Sequence, residues 1–307
     1  MATLYITHPV FLLHETPLGH PERADRLRAI EKELSAPRFD ALKREQAVPA
    51  KLDVLSLAHA REHIAYIQEF AATDHIVALD ADTTMGPHSW DAALHAVGAA
   101  IRAVDAVMGG EAPNAFCAVR PPGHHAETNR AMGFCLFNNV AIAARHAQQK
   151  YNITRVAIVD FDVHHGNGTQ DIFWNDPSVL YASSHQSPCY PGTGAPDEAG
   201  AGNIFNVTLA PGAGGAEFRK AYEKEIFPAL ERFAPELLIL SAGFDAHERD
   251  PLAQLELTET DFAWVTRGLQ QIADQTCTGR VISLLEGGYD LQGLSRSVAA
   301  HVEVLMA

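Results

Sequence analysis

Short, β-branched apolar runs alternate in this chain with longer segments of helical period, and that alternation limits the folds open to it. Runs such as VAIVDF and LLILSAG show no polar face, the pattern of strands covered by helices on both sides, as in parallel sheets. Strands are predicted at Leu4 to Thr7, Ala115 to Val119, Val156 to Phe161, Val179 to Ser183, Ile204 to Leu209, Leu237 to Ser241 and Val281 to Leu285. Helices are predicted at Pro21 to Leu34, with Pro21 in the first turn, and at Ser89 to Met108, Asn138 to Gln149, Ala216 to Phe233, Glu259 to Ala273 and after Leu294. The sum is an α/β fold, a central, mostly parallel sheet with helices on both faces. The chain has no Pro/Gly/Ser-rich linker, internal repeat or low-complexity block, so residues 1–307 read as a single domain.

Composition narrows the function. A net charge of -15 argues against a nucleic-acid partner, since phosphate binding needs clustered Lys and Arg. An acidic surface tolerates, and can weakly attract, a cationic substrate, although acidity also serves solubility alone. Cys117, Cys135, Cys189 and Cys277 form no C-x-x-C pair and read as reduced thiols. The first residues lack the basic start and cleavage site of a secretory signal. No apolar run approaches the roughly 18 residues that span a bilayer, so a soluble, cytoplasmic protein with no membrane partner is expected. Oligomeric state is left open.

Chemistry gathers in loops that follow predicted strands. In an open parallel sheet these loops share one edge, where ligands bind. Asp162-Val163-His164 places a carboxylate and an imidazole on one side of an extended segment. Asp245, at the end of LLILSAGFD, can add a third ligand. Such a set suits Zn²⁺ with coordination left open for water and substrate, and it also accepts Fe²⁺. The alternative is that Asp162 and His164 merely cap the following helix. His124-His125 can divide proton transfer beside a metal, or can be inert surface histidines. Asp160 and Asn167 can orient those rings, and a cap or ion pair is the other reading of Asp160. Glu286-Gly287-Gly288-Tyr289 permits a tight turn that presents a phenol to a developing oxyanion. Phe134 and Tyr190 can form aromatic walls around an aliphatic stem.

Together RPPGHHAE, GFCLFNNVA, VDFDVHHGNGTQ, PGTGAP, SAGFDAHERDPL and LLEGGYD, with HPERADRL near the start, resemble the histone deacetylase family, and specifically its class II members. The resemblance spans nearly the whole chain and implies the arginase/deacetylase fold. It implies one Zn²⁺ on Asp162, His164 and Asp245, His124 and His125 as the tandem histidines, and Tyr289 as the carbonyl-polarising phenol. Asp160 and Asn167 would support the histidines. Gly133, Phe134 and Tyr190 would line the substrate channel. A structural K⁺ would sit on backbone oxygens of Asp160, Asp162 and His164 and on Ser183. Asn167 stands where class I relatives carry Asp, leaving one histidine without a carboxylate partner. Tyr289 stands where weakly active class IIa enzymes carry His, so full activity is implied. The implied reaction is hydrolysis of an N-acyl amide, foremost N6-acetyl-lysine in a peptide or protein, to acetate and a free amine. His125 is the expected donor to the leaving amine, and no organic cofactor is needed.

An arginase-like ureohydrolase is disfavoured, because Gly166 and His247 stand where bridging acids are needed. An acetylpolyamine deacetylase would use the same machinery on a small acetylated amine. Polyamine-selective relatives carry glutamate where this chain has Leu252, although Asp80 and Asp82 offer acids in another loop. A catalytically silent acyl-lysine reader is the third reading, set against a complete catalytic set.

Overall fold

A computed structural model describes residues 2–307. The strands are β1 (Leu4–Thr7), β2 (Lys43–Gln46), β3 (Val77–Ala78), β4 (Thr84–Met85), β5 (Asn114–Cys117), β6 (Val156–Asp160), β7 (Val179–Gln186), β8 (Ile204–Leu209), β9 (Leu237–Ala242) and β10 (Val281–Leu285). The helices are α1 (Asp25–Leu34), α2 (Arg61–Glu69), α3 (Ser89–Met108), α4 (Asn139–Tyr151), α5 (Asn167–Phe173), α6 (Gly215–Ala221), α7 (Phe227–Phe233), α8 (Glu259–Cys277) and α9 (Leu291–Leu305).

Eight strands form one sheet in the order β2-β1-β5-β10-β9-β6-β7-β8, and every pairing in it is parallel. The central strands β5, β6, β9 and β10 are buried along their whole length. This follows from helix cover on both faces, as their unbroken apolar runs require. Because all strands run the same way, the segments after β5, β6, β7, β9 and β10 leave by one edge.

Several elements differ from the sequence reading. The strand β2, of sequence KREQ, escapes an apolar search because it is an edge strand whose residues are mostly exposed. Charged side chains on such an edge discourage pairing with other chains. The first helix starts at Asp25, so Pro21 lies outside it. The segment Ala216 to Phe233 holds two α-helices joined by a π turn at Tyr222–Ile226, just before Pro228. That proline has no N–H for the helical ladder. Asn167 opens the short helix α5 instead of lying in a loop. The β3–β4 hairpin and α2 carry too few periodic apolar residues to announce themselves.

Candidate active site

The loops after β5, β6, β7, β9 and β10, joined by the β3–β4 hairpin, enclose a cavity of about 210 Å³. It is lined by Asp82, His125, Gly133, Phe134, His164, Tyr190, Leu252 and Tyr289. A larger, more open hollow of about 690 Å³, with Thr3, Asn114 and Gly279 in its lining, lies at the amino ends of β1, β5 and β10, away from these residues.

At the floor, Asp162, His164 and Asp245 each offer a ligand atom within 4.8 Å of the others, and all three are buried. His164 Nδ1 lies 3.0 Å from Asp162 Oδ1 and 3.2 Å from Asp245 Oδ2. Backbone amides fix the carboxylates: Gly287 N–H donates to Asp162 Oδ2 (2.8 Å), and Val163 N–H donates to Asp245 Oδ1 (2.9 Å). Burial and the charge of Asp162 both push the Asp245 carboxyl upward. Two buried carboxylates forced together, with one imidazole between them, are what a divalent cation relieves. The set of two hard oxygens and one borderline nitrogen therefore fits Zn²⁺ or a similar first-row ion. Gly287 is required here, because a Cβ would lie 2.0 Å from Asp245 Oδ2.

The tandem histidines differ. His124 Nδ1 pairs with Asp160 Oδ2 at 2.9 Å, and that oxygen also accepts from the Tyr181 hydroxyl at 3.0 Å. Burial opposes charge on His124, but Asp160 and Asp162 outweigh it and raise the imidazole to about 10. His125 Nδ1 instead meets Asn167 Oδ1 at 2.8 Å. Asn167 Nδ2 donates to Glu127 Oε1 at 2.7 Å, which fixes its amide orientation. His125 Nδ1 must then donate, leaving Nε2 as its acceptor. Burial and the neighbouring His124 and His164 push His125 well below the ordinary imidazole range. One ring is thus held cationic and the other neutral, and only the neutral one lines the cavity.

Glu286 buries its carboxylate against Gly123 N–H (2.7 Å) and His124 N–H (3.1 Å), fixing the backbone of the histidine loop. Tyr289 lies two residues before α9, its ring edge-on to Phe134 with centroids 5.9 Å apart. Burial and the charge of Asp245 raise its phenol well above the usual range, so it stays a donor. Arg26 stacks over that ring at 5.0 Å and donates to Gly288 O at 2.7 Å. Glu22, itself held by Arg120, anchors Arg26. HPERADRL therefore supplies a buried ion network behind the Tyr289 loop, where the sequence pattern indicates only a helix start.

At the mouth, Phe134 adopts a left-handed φ of 69°, with its N–H donated to Thr83 Oγ1 at 3.0 Å. Gly133 beside it has φ 56°, and a Cβ there would meet His125 Cδ2 at 2.3 Å. Tyr190 packs edge-on to His125, not to Phe134, with centroids 5.1 Å apart. Asp82 lines the cavity and accepts from Gly133 N–H at 3.1 Å, while Asp80 turns inward to cap the hairpin through Asp82 N–H and Thr83 N–H. All twelve residues read from the sequence as site residues thus lie in this one region. Asp82, one of the two acids that the sequence offers in the hairpin, joins them, and Glu286, Asp250 and Arg26, which only the partners they meet in space reveal, complete it. No helix among the described residues is long and apolar enough to cross a membrane.

The geometry has counterparts. Residues 20–305 match the histone deacetylase domain family. The chain is 38% identical to "Histone deacetylase 10, chloroplastic" of Oryza sativa subsp. japonica, over 96% of this chain and 71% of that protein. It is 39% identical to "Histone deacetylase-like amidohydrolase" of Pseudomonas aeruginosa, over 88% of this chain and 73% of that one. Among solved structures, that of the HDA15 HD domain superposes with a TM-score of 0.94 at 36% identity, covering 99% of this chain and 88% of the other. The single parallel-sheet domain is accordingly the arginase/deacetylase fold, and the chain belongs to the histone deacetylase family.

Proposed function

We propose that this chain is a zinc-dependent deacylase of the class II type that hydrolyses an N-acyl amide, foremost N6-acetyl-lysine, to acetate and a free amine. One observation carries the reading: the 210 Å³ cavity is a passage from the exposed Tyr190 and Leu252, beside Phe134, to the buried His125 and His164 and to Tyr289. Such a passage suits an unbranched aliphatic stem that delivers an acyl group to the floor. Asp162, His164 and Asp245 would hold the zinc ion, which supplies Lewis acidity to the acyl carbonyl and lowers the pKa of water. The same reading places a structural K⁺ on backbone oxygens of Asp160, Asp162 and His164 and on Ser183.

The side chains divide the remaining work. Tyr289 donates its hydroxyl proton in a hydrogen bond to the carbonyl oxygen as negative charge develops there. His125, neutral and with Nε2 free, accepts the proton of the attacking water and then returns it to the leaving amine. His124 is already cationic, so it cannot take that proton and instead contributes positive charge near the developing oxyanion. Asn167 and Asp160 orient the two rings. Phe134 and Tyr190 exclude water from the stem.

Asp82 gives the acetylpolyamine reading a specific footing, since its carboxylate lines the cavity where a cationic substrate would pass. Leu252 at the mouth weighs against it. The deciding measurement is kcat/KM of zinc-loaded protein for an acetyl-lysine peptide, N-acetylputrescine and acetylspermidine, before and after chelation. Chelator-sensitive turnover of the peptide above both amines is the expected result. A preference for the amines assigns the polyamine function, and binding without turnover of any substrate assigns the reader.

A further inference from the structure

Resting on the deacylase reading, we infer that Asp250 is a positioning residue that fixes Tyr289 relative to the channel wall. Asp250 lies in the loop after β9, with 8% of its surface exposed. One carboxylate oxygen, Oδ2, accepts from Tyr289 N–H at 2.7 Å and from Asp290 N–H at 3.4 Å. The other, Oδ1, accepts from Leu252 N–H at 3.0 Å. A single carboxyl group thus binds the backbone of the oxyanion donor on one side and that of a channel-lining residue on the other.

The loop needs such a hold. Gly287 and Gly288 precede Tyr289, and Gly288 has φ 122°, so no side chain of theirs anchors the turn. Arg26 grips the carbonyls of Glu286 and Gly288, and Asp162 takes Gly287 N–H. Of these three groups, Asp250 is the one bonded to the backbone of Tyr289 itself. A second strut runs beside it: Arg249 Nε donates to Asp290 Oδ1 at 2.9 Å, and that oxygen also caps α9 through Gly293 N–H at 2.8 Å. Residues 249–252 therefore carry two ties between the β9 loop and the Tyr289 loop, nearer to Tyr289 than the bond from Phe244 N–H to Gly287 O at 3.0 Å. Charge-assisted bonds to backbone N–H are stronger than neutral ones, which suits a carboxylate to the task.

Asp250→Asn tests the inference because an amide has an acceptor on one side only. Its NH₂ then faces either Tyr289 N–H or Leu252 N–H, donor against donor. Steady-state kinetics on the acetyl-lysine peptide would compare wild type, Asp250→Asn, Tyr289→Phe and the double variant. Asp250→Asn is expected to lower kcat about tenfold or more through misplacement of the phenol. In the Tyr289→Phe background the same change should cost no further kcat, while any rise in KM from Leu252 persists in both. Amide exchange across residues 286–292 should be faster in Asp250→Asn, and that readout does not depend on activity. An equal fold-loss of kcat in both backgrounds, or unchanged exchange across 286–292, overturns the inference. Should Asp250→Asn not fold, Asp250→Ser is judged by the same criteria. Absence of wild-type turnover would instead count against the deacylase reading, and the exchange result would still decide whether Asp250 holds the loop.

Discussion

At the floor of the cavity Asp162 and Asp245 are each 1% exposed and His124 and His125 no more than 5%, whereas Tyr190 and Leu252 at the mouth are 39% and 37% exposed. The floor grows directly from the ends of buried parallel strands, and backbone N–H groups of neighbouring loops fix its carboxylates. The mouth is assembled from a hairpin and three loops, held by single bonds such as Phe134 N–H to Thr83 Oγ1. Rigid strand ends suit chemistry that tolerates little displacement, and loops suit a surface that selects among substrates. Changes at the floor should therefore abolish turnover, and changes at the mouth should redirect it.

The largest expected effect is at the ligand set. Asp245→Ala should lose bound zinc, read by elemental analysis, and turnover should fall by at least about 10³-fold. Retention of zinc at full stoichiometry would break the assignment of the floor. His125→Ala should cost about 10² to 10⁴ in kcat, as expected for a general acid–base group. Tyr289→Phe should cost about 10² to 10³ in kcat with a smaller change in KM, as for loss of one oxyanion donor. If either variant altered KM alone, that residue would belong with the mouth.

Acid stability separates the body of the fold from its mouth. His14, His59 and His301 are buried, and burial lowers their imidazoles to about 4, about 3 and about 3. In the unfolded chain they titrate near the ordinary value of about 6.5, so below that pH the unfolded state binds more protons. Their contribution to stability is full above about 6.5 and is lost as pH falls towards 4. Tm should drop by several degrees between about pH 7.5 and pH 5. Leu252→Glu should leave that acid profile unchanged, since it acts at an exposed position. The smallest effect expected is its change in selectivity, a rise of about tenfold in kcat/KM for acetylspermidine relative to the peptide, from one added charge beside the substrate. A tenfold loss of peptide turnover with no gain on the amine would show that the mouth gates entry without reading charge.

Most of the floor is legible in the amino-acid sequence. Asp162, His164, His124, His125 and Tyr289 occupy segments directly after strands that periodicity predicts, and parallel topology then forces those segments to one edge. The legible strands are the buried ones, because two-sided cover demands unbroken apolar runs. The edge strand β2 is invisible for the opposite reason. Asp80 and Asp82 are equivalent in sequence, and the turn of the hairpin alone sends Asp80 inward and Asp82 into the cavity.

The sequence by itself thus determined the parallel α/β architecture, the residue types at the floor and the side of the sheet on which they meet. Tertiary structure decided their electrical states and their supports. His124 and His125 are adjacent in the chain, yet Asp160, 36 residues away, keeps one cationic, while burial beside His124 and His164 keeps the other neutral and Asn167, 42 residues away, fixes its tautomer. The ties that Arg26, Glu286 and Asp250 make to distant backbone atoms are of the same kind. Such states depend on distance and burial, and local sequence pattern encodes neither, because it reports only what lies within a few residues along the chain.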